Sequence, residues 1–237
     1  MGQQIRISAK TLAELAMYHF CPRCFWIKRQ VPKQLPYQMF PGIFSSIDSF
    51  SKRVVHSWFD RGHGAPAWLG DLGELVGYRT PPHYSKFNFV DEETDILLTG
   101  SPDGVFIRAD QSHVIVDYKT SRHTSYQDTL YPLYEAQLNA YALIGERCGL
   151  APVSGLALIY TEPVTDEAAA AEDAAQRDDG FAMGFAAHVV DVELNPGIIR
   201  PLLDKTRDIC DLPYCPDGRI GCRNCEYLDD LLEVAKS

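Results

Sequence analysis

Two carboxylates and a lysine are spaced in this chain as phosphodiester chemistry would require. Asp103 sits in the run Gly100-Ser101-Pro102-Asp103-Gly104, and Asp117-Tyr118-Lys119 follows downstream. Strand-like runs flank the polar turn Ala109-Asp110-Gln111-Ser112, so residues 103–108 and 113–119 read as the arms of a hairpin. Antiparallel pairing across that turn brings Asp103 opposite Asp117 to within a residue or two. Side chains alternate along a strand, which puts Asp117 and Lys119 on one face. A hard ion such as Mg²⁺ takes oxygen ligands from carboxylates, waters and substrate phosphate. Bound there, it would polarise a phosphate and make a water a better nucleophile. Lys119 can orient that water or offset the developing charge, and the Tyr118 carbonyl offers a further ligand. Asp is disfavoured in strand interiors, so one that ends the apolar run Val114-Ile115-Val116 needs a partner.

Cysteine is the second signal. The chain has seven. In a reducing compartment such cysteines bind metal more often than they pair as disulfides. Cys21-Pro22-Arg23-Cys24 lies near one end, and Cys210, Cys215, Cys222 and Cys225 lie near the other. Two CxxC pairs so far apart cannot form a local zinc finger, but they can staple the two ends of the chain at one site. Four thiolates suit tetrahedral Zn²⁺ or an iron–sulfur cluster. Cys21, Cys24, Cys222 and Cys225 are the expected ligands, because CxxC units are compact chelators, with Cys215 in reserve. Cys148 reads as a plain buried thiol. A CxxC also suits redox chemistry, but no βαβ pattern surrounds Cys21.

The elements that must position these groups read as follows. Ser8 can cap a helix over 8–18. CPRCFWIK follows, and then the irregular, Pro-rich stretch 31–42. Residues 43–59 read as a helix. Segments 95–99, 103–108 and 113–119 read as a three-strand meander. A helix over 131–148 carries Gln137 and Tyr141 four apart on one face. Strands over 153–160 and 185–194 follow, and then a helix over 197–210 with Pro201 in its first turn. Residues 168–180 form an Ala- and acid-rich surface insertion, and the tail is a Cys/Gly loop. That order predicts an α/β (α+β) fold, a mixed sheet flanked by helices.

The length of 237 residues suits one domain over 1–237. Within it lie a basic helical lobe over 1–60, a catalytic core over 95–194, and a C-terminal helix with the Cys-rich tail over 197–237. No apolar run is long enough to span a membrane. The stretch MGQQIRISAK has no apolar h-region, so a cytoplasmic setting is expected. A net charge of −10 opposes a nucleic-acid partner, since phosphates are neutralised by Lys and Arg. The charge is uneven, however. Residues 1–60 hold eight Lys/Arg and three acids, a balance of +5, whereas 161–180 holds seven acids and one Arg. Phe20, Phe25, Trp26, Tyr37 and Phe40 lie among the basic residues, as in proteins that stack the bases of single strands.

The ordered set Asp103, Asp117-Tyr118-Lys119, Gln137 and Tyr141 resembles the RecB-like branch of the PD-(D/E)XK nucleases, which includes CRISPR-associated and phage exonucleases. The resemblance implies a restriction-endonuclease-like core and an Mg²⁺- or Mn²⁺-dependent exonuclease acting on DNA ends or single strands. It implies Asp103 and Asp117 as metal ligands and Lys119 as the catalytic lysine. Gln137 and Tyr141 would contact DNA or support the site. In that branch a His on an earlier helix often completes the metal site. Here that is His56, in Val54-Val55-His56-Ser57-Trp58; Glu74 and Glu135 are further carboxylate candidates. Many members also hold a [4Fe–4S] cluster on one N-terminal Cys, in a Cys-Pro-Arg context, and three C-terminal ones, so the resemblance implies a [4Fe–4S] cluster here, with Zn²⁺ as the alternative. Cys21 matches the first, while the spacing of Cys215, Cys222 and Cys225 departs from the usual order. Partners in recombination, repair, phage or CRISPR adaptation complexes are all compatible. A non-catalytic adaptor on the same fold, or an endonuclease or RNase, are the alternatives.

Overall fold

The computed structural model describes residues 4–31, 42–124 and 129–236. The chain runs β1 (Ile5–Ser8), α1 (Ala9–Ala13), α2 (Pro22–Gln30), α3 (Ile43–Asp60), β2 (Leu75–Arg79), β3 (Asn88–Asp91), β4 (Ile96–Thr99), β5 (Gly104–Arg108) and β6 (His113–Lys119). It continues as α4 (Tyr131–Arg147), β7 (Val153–Pro163), α5 (Glu167–Ala171), β8 (Gln176–Arg177), β9 (Gly180–Phe181), β10 (Phe185–Val192), α6 (Ile199–Cys210) and α7 (Arg223–Val234).

The central sheet has the order β10-β7-β6-β5-β2. It is mixed: β6 and β7 are parallel, joined through α4, and the other pairs are antiparallel. The expected hairpin is β5–β6. Its register pairs Gly104 with Val116 and Phe106 with Val114. Carried one residue past the end of β5, that register sets Asp103 against Asp117.

Alternation along β6 splits the core in two. Ile115 faces one cluster, with Leu138, Ala142 and Ile144 of α4 and Leu12 of α1. Val114, Val116 and Tyr118 face the other, with Val55 of α3 and Leu69. The hairpin end that carries Asp117 and Lys119 is thus held between α4 and α3.

Three elements differ from the sequence reading. The meander does not form, because β4 leaves the central sheet and pairs parallel with β1 and antiparallel with β3. The break falls at Gly100-Ser101-Pro102, where Pro102 has no N–H to extend a ladder. The helix expected over 8–18 is shorter and follows a strand: Thr11 N donates to Ser8 Oγ at 3.1 Å, capping α1 as expected, but Ser8 also ends β1. The tail is not all loop, since α7 begins at Arg223. The insertion over 168–180 is exposed, as its composition suggests. Of the Pro-rich stretch 31–42, only Val31 and Gly42 are among the described residues. No helix among the described residues is long and apolar enough to cross a membrane.

Candidate active site and cysteine centre

Asp103 and Asp117 meet at the end of the β5–β6 hairpin, each held by a different set of donors. Asp103 Oδ2 accepts the backbone N–H of Tyr118 at 3.0 Å, which ties the loop after β4 to β6. Asp103 Oδ1 accepts from Lys52 Nζ at 2.7 Å, and the same ammonium reaches Asp48 Oδ2 at 2.8 Å. Lys52 comes from α3 and was not singled out in the sequence. The trace that could have found it is the i,i+4 pair Asp48–Lys52, one turn before His56.

Asp117 is 4% exposed. Gln137 Nε2 donates to its Oδ1 at 3.2 Å and is itself 2.9 Å from the Tyr141 hydroxyl. Gln137 and Tyr141 are both buried, and Gln137 braces the Asp117 carboxylate. Asp117 Oδ2 faces Lys119 Nζ in an ion pair but accepts no aligned hydrogen bond among the described residues. The Lys119 ammonium also lies 4.2 Å from the centre of the Tyr134 ring. Burial pushes the Asp117 carboxyl up to about 6; Lys119 opposes that shift and the nearby Asp103 charge adds to it.

This donor set fits a hard divalent cation. Two neighbouring carboxylates, one of them buried, are a pair that a cation would stabilise. The Tyr118 side chain is buried toward α3, and burial raises its hydroxyl pKa. His56 lies one turn after Lys52 on α3: its ring stacks on Tyr78 of β2 at 3.9 Å, and burial lowers its pKa. It forms no compact group with Asp103 and Asp117, since among the described residues the cysteines alone make a group of three or more His, Cys, Asp or Glu ligand atoms. Glu74 is exposed at the turn before β2. Glu135 is raised by burial and by Glu193.

Gly100 is a second residue the sequence reading passed over. A Cβ there would stand 2.8 Å from the Tyr141 ring, so a side chain would push on the tyrosine that braces Gln137. Gly100→Ala is therefore expected to destabilise the fold by about 1–3 kcal/mol, as overpacking does. Urea unfolding with an unchanged midpoint would show that Tyr141 can give way.

The four expected cysteines converge. The Sγ atoms of Cys21, Cys24, Cys222 and Cys225 all lie within 4.8 Å of one another. Cys21 and Cys225 are 3.5 Å apart, Cys24 and Cys222 3.6 Å, and Cys24 and Cys225 3.5 Å. Burial pushes the Cys21 thiol up, but N–H groups of Cys24 and Arg219 and the neighbouring thiols bring it down to about 6. The Arg219 N–H stands 3.3 Å from Cys21 Sγ. Burial raises Cys24 and Cys225. Arg23 grips Asp229 with two bonds of 2.9 and 2.6 Å, which clamps α7 to α2 beside the thiols. Gly218 is required by close approach, since a Cβ there would lie 2.9 Å from Cys225 Sγ. Cys215 is exposed and outside the group. Cys148 is half-buried and donates to the Lys86 and Asn88 carbonyls.

Three of the expected N-terminal aromatics, Phe20, Phe25 and Trp26, are packed against the core. Phe25 is buried against Phe20, and Lys205 Nζ sits 4.2 Å above the Phe20 ring. Trp26 Nε1 donates to the Leu212 carbonyl at 3.4 Å. Tyr37 and Phe40 lie outside the described residues.

Comparison with known proteins places the chain at the level of a family. No curated protein matches the chain. A solved structure described as "Crystal structure of SSO0001" is similar over 91% of this chain and 84% of its own, at 12% sequence identity and a TM-score of 0.37, a likeness too distant to carry an argument. The model of the PD-(D/E)XK nuclease superfamily matches residues 48–229, which run from α3 through the carboxylate hairpin and α4 into α7. Matched over most of its length, the chain belongs to the PD-(D/E)XK nuclease superfamily.

Proposed function

We propose that the protein is an Mg²⁺- or Mn²⁺-dependent deoxyribonuclease that hydrolyses phosphodiester bonds at DNA ends or in single strands. The observation that carries this reading is the Asp103–Asp117–Lys119 set at the end of the β5–β6 hairpin, braced by Gln137. Asp103 and Asp117 would hold the ion, with the Tyr118 carbonyl as a further ligand. His56, one turn after Lys52 on α3, is the further candidate ligand, although its ring stacks on Tyr78. The bound ion would supply Lewis-acid polarisation of the phosphate. Lys119, fixed between Asp117 and the Tyr134 ring, offers its ammonium to the attacking water or to the charge growing on the phosphate. Gln137 keeps the Asp117 carboxylate turned toward Lys119 by holding its other oxygen.

Linear and circular single-stranded DNA of equal length, incubated with Mn²⁺, test the end requirement. Loss of the linear strand with the circle intact is expected. A cut circle would mean an endonuclease. Neither strand cut, with both still bound, would favour the adaptor.

For the cysteine centre we infer a single tetrahedral zinc ion in preference to a [4Fe–4S] cluster. Zn–S bonds of about 2.3 Å place tetrahedral sulfurs roughly 3.8 Å apart; three sulfur pairs here are 3.5–3.6 Å apart and all four lie within 4.8 Å of one another. A four-iron cluster is interposed between its thiolates and needs them farther apart. The protein, purified anaerobically, should be colourless with about one zinc per chain. A broad band near about 400 nm with about four irons would reverse the assignment.

A further inference from the structure

Two surfaces remain outside both sites, and each has what the other lacks. The first is the back of α3. At 3.6 residues per turn, Lys52, Val55 and Phe59 face the body of the protein, and Phe50, Val54 and Trp58 form a stripe on the opposite side. Phe50 is 59% exposed and Trp58 44%. Arg53 stands along one edge of that stripe, and Arg61 just past its C-terminal end, in a shallow groove that holds no acidic side chain. Neither arginine has an acidic partner among the described residues.

The second is the outer face of α7. This helix is anchored at its start by Cys222, Cys225 and the Arg23–Asp229 pair, and it is exposed from Asp229 onward. Tyr227, 64% exposed, and Leu231, 40% exposed, stand one turn apart. Glu226, Asp230 and Glu233 flank them, and none has a basic partner among the described residues. A helix of this length is marginal in water unless its apolar face is covered.

We propose that α7 of a second copy of this chain docks in the α3 groove. Charge decides the occupant: an arginine-edged apolar groove meets an acid-edged apolar helix. Arg53 and the α7 acids lie on the same rotational side of their stripes, so antiparallel packing brings them together, with Arg61 at the far end of the groove. Arg53 then faces Glu233, and Arg61 faces Glu226. The arginines are eight residues apart and the glutamates seven, about 12 and 10.5 Å along a helix. The contact joins two different surfaces, so it repeats reciprocally in a two-fold dimer, closes into a ring or extends as an open chain.

Light scattering of the full chain against concentration and salt tests this. At about 100 μM in low salt the wild type is expected to exceed the 26.6 kDa of one chain. The double reversal Arg53→Glu/Arg61→Glu and the reversal Glu226→Lys/Glu233→Lys should each weaken association at least about tenfold, and the combined variant should restore it. Trp58→Glu should abolish association without changing the circular dichroism. A wild type that stays monomeric throughout would overturn the proposal, as would association that survives these changes. Single reversals without rescue in the combination would remove α7 as the occupant. Loss of oligonucleotide binding with mass unchanged would assign the groove to nucleic acid instead.

Discussion

Lys119→Ala is expected to lower turnover by about 10²–10³-fold, the usual cost of removing one preorganised charge donor. Its effect on metal affinity at alkaline pH should be small, because the ammonium is not a ligand. The difference between those two readouts follows from the geometry. Lys119 Nζ touches Asp117 Oδ2 and rests against Tyr134, so it is fixed beside the site. The same contact predicts a pH signature. Burial raises the Asp117 carboxyl to about 6, and Lys119 lowers it. Asp117 must be ionised to bind a cation, so protons compete with the metal as pH falls through that value. Without Lys119 the carboxyl titrates higher, and metal affinity should begin to fall at a higher pH than in the wild type. Calorimetric titrations with Mn²⁺ at several pH values, beside single-turnover cleavage, check both points. Unchanged turnover would remove Lys119 from the mechanism.

Cys21→Ser is expected to release the cysteine-bound metal and lower the melting temperature by about 10 °C or more. Cys21 and Cys225 are 204 positions apart, so the centre closes nearly the whole chain. A structural metal contributes its binding free energy to folding. For a chain of this size each kcal/mol shifts melting by about 2–4 °C. A serine hydroxyl cannot replace the thiolate, and the Arg219 N–H loses its sulfur acceptor. Cys215→Ser is the control: its thiol is exposed and outside the group, so metal content and melting should not change. A Cys21→Ser protein with full metal content and undiminished melting temperature would refute the assignment.

What was legible in the sequence was local or carried by unusual residue types. The β5–β6 hairpin follows from two apolar runs and one polar turn, and its register places Asp103 and Asp117 as the spacing suggests. Gln137 and Tyr141 were legible as a helix pair, but their burial was not, since it depends on β6 lying against α4. The CxxC pairs announced themselves by composition, and all four thiols meet. The unread parts are non-local. β1 is four residues long, and its partner β4 lies about ninety positions away, so nothing near Ile5 signals a strand. β4 looks like a neighbour of β5, but only the packing of Gly100 under Tyr141 shows where the chain turns away. Lys52 needs the fold to bring α3 over the hairpin. Basic and aromatic residues near the N-terminus suggested a stacking surface; in the fold Phe20, Phe25 and Trp26 are packed, whereas Phe50 and Trp58 of α3 are exposed.

Cleavage of an end-labelled DNA strand by the wild type and by Asp117→Ala, with and without Mn²⁺, tests the central claim most directly. Metal-dependent loss of the strand with the wild type, and none with the variant, is the predicted result. Cleavage that persists in Asp117→Ala would contradict it, because the buried carboxylate would then have no part in holding the ion.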